Sequence, residues 1–281
     1  MKRHANFSAL LFIKLFLLVA CHSTTINNGK IIHAAAPFGW PNEDRDGCVV
    51  TVVPEELGFD PFYEKYCDAD GIPIISSGEV DDLALKQAYY IMMNMLAPIP
   101  ESRQKMISYG AYFAIIGQHE EQTTLPEYAH MDSEYWDQRA RGLGGSIGLP
   151  ITSAAEENLL CLPWDTYRGE SIAVHEFAHT ISLMDEGAEY DVLVEEFKSL
   201  YDSATEKGFW EFTYAGSDVL EYWAEGVQAY FNTKGQANRP DGIDNHVNTR
   251  EELAEYDPGL FEFIHTFFHG YDWTPTCPRE E

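Results

Sequence analysis

The chain has 281 residues, 45% of them hydrophobic, enough to pack a core of one sizeable domain and too many for wholesale disorder. Lys and Arg number 18 against 46 Asp and Glu, a formal charge of -28. A surface this acidic repels phosphate backbones and anionic headgroups, which makes nucleic acid a poor candidate partner.

Lys2, Arg3 and His4 precede an apolar run from Ala9 to Ala20, interrupted only by Lys14. That run is short for a membrane span and has the length of a signal core, so residues 1–20 are expected to direct export. Leu18-Val19-Ala20-Cys21 resembles a bacterial lipobox, in which Cys21 would be acylated and tether the chain to a membrane. An ordinary cleaved signal would instead release a secreted form. Residues 21–59 are rich in Asn, Gly, Pro and Asp and read as an irregular tether. With Cys21 set aside, Cys48, Cys67, Cys161 and Cys277 remain, an even number in a chain with an export signal. Four cysteines allow three pairings; Cys48–Cys67 and Cys161–Cys277 are the pairs expected.

Residues 60–281 read as a single domain. Ile72 to Ile75 forms a short strand candidate. Val80, Leu83, Ala84, Ala88, Ile91, Met92 and Met95 recur at helical spacing up to Pro98, and the methionines read as core. Tyr109 to Ile116 reads as a buried strand. The glycines of Arg141-Gly142-Leu143-Gly144-Gly145 read as backbone turns, and Ser146 to Ser153 as a further strand with an edge open to an extended peptide. Helices are expected near 170–184, 190–206, 217–231 and 251–267. The sum is an α+β fold, a small mixed sheet upstream of a mostly helical C-terminal half.

His175-Glu176-Phe177-Ala178-His179 lies within the first of these helices. On a helix, His175 and His179 project from one face and can bind one zinc ion. Glu176 is rotated so that its carboxylate reaches a water beside the metal, the place of a general base. A third ligand is needed. Glu221, in Leu220-Glu221-Tyr222-Trp223-Ala224-Glu225-Gly226, is otherwise surrounded by apolar neighbours and suits that place. Glu225, one turn on, could accept the free N–H of a ligating His. Asp185 is a rival third ligand, while His265 and His269 read as helix-end and surface residues.

The pairing of His-Glu-x-x-His with Glu-x-x-Ala-Glu resembles the gluzincin metallopeptidases, in particular the catalytic domain of the anthrax lethal factor type. Tyr214, seven residues before Glu221, matches a Tyr of that type, and Leu260 to Ile264 is similar to its closing helix. The resemblance covers residues 170–267 well and the upstream half loosely. It implies a zincin-like fold and one Zn2+ per chain on His175, His179 and Glu221. Glu176 would be the general base and Tyr214 the donor to the oxyanion. The function expected is an exported zinc metallopeptidase acting on a peptide or protein. The alternatives are a catalytically silent zinc-containing surface binding protein and a zinc amidase acting on a non-peptide, cell-wall amide.

Overall fold

The structure, a computed structural model, describes residues 25–27, 30–32, 44–185 and 188–278. The expected signal and Cys21 lie outside the described residues. A short antiparallel hairpin, β1 (Thr25–Asn27) with β2 (Lys30–Ile32), belongs to a separate N-terminal unit, residues 1–37. The rest of the described chain is one compact unit of mixed α and β structure.

Its centre is a six-stranded mixed sheet. The strands are β3 (Thr51–Val52), β4 (Lys65–Ala69), β5 (Ile72–Ser76), β6 (Tyr112–Ile116), β7 (Gly142–Leu143) and β8 (Ile151–Ala155), in the order β3-β4-β5-β6-β8-β7. β4 and β5 form a hairpin whose turn, Asp70-Gly71, takes positive φ at both residues, the conformation an Asp-Gly pair accepts most readily. β5, β6 and β8 run parallel, with Phe113 opposite Ile74 and Thr152 opposite Phe113. Tyr112–Ile116 and Ile151–Ala155 are nearly continuous buried runs, as parallel strands covered on both faces require.

The helix α1 (Asp82–Leu96) starts on the side chain of Asp81, which accepts from the Leu83 amide, and packs on β4 and β5. Met92 and Met95 are buried in the core, as their spacing predicts. Pro98 falls just beyond its end, and a second helix, α2 (Pro100–Ser108), follows with Pro at its first turn. Periodicity gives no sign of α2, since only Ser102 and Met106 in it are buried. Next come α3 (Ser133–Arg139), the single turn α4 (Glu156–Leu159), α5 (Ile172–Met184), α6 (Ala188–Glu206) and α7 (Val219–Tyr230).

The helix expected over 251–267 is two, α8 (Arg250–Tyr256) and α9 (Pro258–Phe267). Pro258 has no N–H to continue the helix, and it drives Asp257 out of helical geometry. Asp257 then caps α9 through the Leu260 amide.

Two further expectations change. The strand expected over 146–153 is instead Ile151–Ala155, because Ser146 and Leu149 bond across a turn ahead of Pro150. That strand is also internal; the edge belongs to β7. Within the stretch read as tether, Cys48 bonds to Cys67 and β3 pairs with β4, so the folded unit includes residues upstream of 60. The second disulfide is Cys161–Cys277, and both pairs are those expected. Among the described residues, no helix is long and apolar enough to cross a membrane.

Candidate metal centre

Two helices make the site. α5 starts on Ser171, whose hydroxyl accepts from the Val174 amide, and the Ile172 amide donates to Asn158. The helix is fixed to the sheet through Thr180, whose Oγ1 lies 2.6 Å from Thr152 Oγ1 and accepts from the Gly145 amide at 2.7 Å. α7 starts on Asp218, which accepts from the Leu220 and Glu221 amides at 2.8 and 3.1 Å. The indole N–H of Trp223 donates to the Ala178 carbonyl at 2.8 Å and locks α7 onto α5. The turn on α5 that carries the histidines therefore faces the first turn of α7.

His175 Nε2 lies 3.1 Å from His179 Nε2 and 3.1 Å from Glu221 Oε2, and His179 Nε2 lies 3.3 Å from the same oxygen. Ligands about 2.0–2.1 Å from a tetrahedral zinc stand about 3.3 Å apart, so this triangle is the size of one face of such a shell. The three side chains form a cluster able to hold a metal ion. Behind it, His175 Nδ1 lies 2.9 Å from Gln228 Oε1 and 3.4 Å from Glu225 Oε1. These acceptors fix the proton on Nδ1 and leave Nε2 free to ligate.

Charge is concentrated here. Burial pushes the His175 pKa down, but the hydrogen bond to Glu221 and the charges of Glu176, Glu225 and Glu221 outweigh it and raise it to about 10. Burial pushes Glu221 up, and the hydrogen bonds and charges of both histidines bring it well below the usual carboxylate range. Burial holds Glu176 above its ordinary value, with the charges of His175 and His179 opposing. A metal-free site is thus an imidazolium–carboxylate cluster, in which a divalent cation would replace protons.

The cluster opens into a cleft of about 410 Å3 that Glu176, Tyr214, Glu170 and β7 also line. The Tyr214 ring stacks near that of His175, centroids 6.2 Å apart, and its amide donates to the Ile243 carbonyl at 2.8 Å. Burial and the neighbouring Glu221 carboxylate raise the Tyr214 pKa, so its hydroxyl keeps its proton and stays a donor. Gly142 and Gly144 are more than turns. A Cβ on Gly144 would sit 2.5 Å from His179 Cβ and 3.0 Å from the Glu176 carbonyl; one on Gly142 would sit 2.6 Å from Ile172. Both glycines let the sheet edge lie against the metal-site helix, and the Gly144 amide bonds to the Glu176 carboxylate. Their alternate spacing, which in a strand puts both on one face, is the signal in the sequence.

His175, Glu176, His179, Tyr214, Glu221 and Glu225 all meet at this cleft. Asp185 does not join them. It caps the end of α5, pairs with Lys105 and accepts from Ser102 at 3.3 Å. His265 and His269 are exposed near the end of α9 and beyond it, His265 meeting the Tyr230 hydroxyl at 3.2 Å. Four residues beside the site, Glu170, Gln228, Lys234 and Asp244, have no local pattern that marks them in the sequence. Comparison with protein-family models, with curated proteins and with solved structures finds no match for the chain.

Proposed function

We propose that the chain is an exported zinc metallopeptidase with a zincin-like fold, related in its site to the gluzincins. The observation that carries the reading is the convergence of His175, His179 and Glu221 at 3.1–3.3 Å, beside a carboxylate and a tyrosine that do not ligate. His175, His179 and Glu221 would hold the ion, which in a site of this kind polarises a carbonyl and acidifies water. Glu176, buried beside the two histidines, would accept the proton of the attacking water and deliver it to the leaving amine. Tyr214, protonated beside Glu221, would donate to the oxygen on which charge develops. β7, an outer strand of the sheet that lines the cleft, is the edge beside which an extended peptide would lie, in place of the internal strand β8. Two disulfides support an oxidising compartment.

Glu176→Gln tests the mechanism. The variant is expected to keep one zinc per chain and to lose at least about 100-fold in peptide cleavage. Full activity in it would sink the mechanism. One zinc per chain with no cleavage by the parent protein would favour a silent binding protein.

A further inference from the structure

Lys234 is fully buried behind the site, between two carboxylates. Its Nζ lies 2.9 Å from Glu225 Oε2 and pairs with Asp244 Oδ1 on the other side. The Glu225 contact is a buried ion pair. A lysine buried to this degree loses its hydration and stays charged only because both carboxylates hold it.

Each carboxylate leads to a different half of the cleft. Glu225, itself 3% exposed, faces His175 Nδ1 with its other oxygen. Asp244 belongs to the 241–245 turn, where Asp241 accepts from the Ile243 and Asp244 amides at 3.0 and 2.9 Å. The Ile243 carbonyl in that turn holds the Tyr214 amide at 2.8 Å, and the Gly242 amide donates to the Phe212 carbonyl at 3.0 Å. Gly235 lets Asp244 close on the lysine, because a Cβ there would lie 2.5 Å from Asp244 Oδ2.

We propose that Lys234 is a positioning residue shared by both halves of the site: through Glu225 it sets His175, and through Asp244 it sets the turn that holds Tyr214. The inference rests on the metal-centre reading above. Without the lysine, Glu225 loses the partner that holds its Oε2 and is free to turn its other oxygen away from His175 Nδ1. Asp244, with its side chain 17% exposed, can turn to solvent and release the turn beneath Tyr214.

Zinc affinity, measured by chelator competition on the full chain, reads the first arm. Lys234→Met is expected to weaken zinc binding about tenfold, the scale on which groups behind a ligand act, and Asp244→Asn to leave it within about twofold. Peptide cleavage by zinc-saturated protein reads the second. Asp244→Asn is expected to lower kcat with KM unchanged, and to lower it no further once Tyr214 is Phe. Unchanged zinc affinity in Lys234→Met overturns the assignment. So does an Asp244→Asn loss that multiplies in full with Tyr214→Phe. Should Lys234→Met not fold, the same change is made beside Glu225→Gln: zinc affinity equal to that of Glu225→Gln alone is the result expected, and a further loss on removing the lysine overturns the route through Glu225. If the parent protein cleaves nothing, the peptidase reading fails and zinc affinity alone decides the role of Lys234.

Discussion

Glu170 lines the cleft of the candidate metal centre. Burial, then the charges of Glu225 and Asp244, raise its pKa from 4.5 to about 7. The folded chain therefore holds this proton more tightly than the unfolded chain does. Its contribution to stability is flat below 4.5, falls as pH rises toward 7 and stays low above that. Glu170→Gln removes the loss. The metal-free variant is expected to gain about 2 kcal/mol at about pH 8, discounted for the group's partial exposure, and nothing at about pH 4. Urea titrations at both values check this; an equal gain at both contradicts the titration. At this scale the sequence marks only what is local. His175, Glu176 and His179 fall on one helical face and can be read from spacing. Lys234 meets Glu225 and Asp244 only once α7 and the following turn have folded, so nothing near these residues in the chain marks them.

Among the elements, α5 and α7 are legible because each has a cap, Ser171 or Asp218, and an apolar stripe. The sheet edge is harder to place. Ser146 to Ser153 reads as a strand with an open edge, yet pairing of Ile151–Ala155 with β6 on one side and β7 on the other closes it. Which strand is outermost depends on a two-residue strand, Gly142–Leu143, too short to show periodicity. Gly144, the residue that follows it, is testable. Gly144→Ala places a methyl against His179 Cβ and the Glu176 carbonyl, where the backbone oxygen cannot swing aside. The variant is expected to lose about 1–3 kcal/mol in stability and to bind zinc more weakly. Thermal and chelator titrations together check it; an unchanged pair of values would mean that β7 does not press on the helix. Gly148→Ala, with open space around it, is the matched control.

Over the whole molecule, the far ends of the folded unit are tied to its centre. Cys161–Cys277 closes a loop with a sequence separation of 116, and Arg45 and Gln87 both donate to the Thr276 carbonyl, at 2.8 and 2.9 Å. Such closure limits the unfolded chain and holds the segment leading into α5 in place. The helical C-terminal half carries the candidate ligands, while the sheet contributes the edge strand β7 to the cleft. Net charge of -28 adds solubility but does not select a substrate. The central claim is that a metal on His175, His179 and Glu221 drives hydrolysis of a peptide. The most direct measurement is cleavage of a peptide library by the purified chain, before chelation, after chelation and after zinc is restored. Cleavage that vanishes with the chelator and returns with about one zinc per chain is the result predicted. Cleavage that persists in the chelated, zinc-free protein would contradict it.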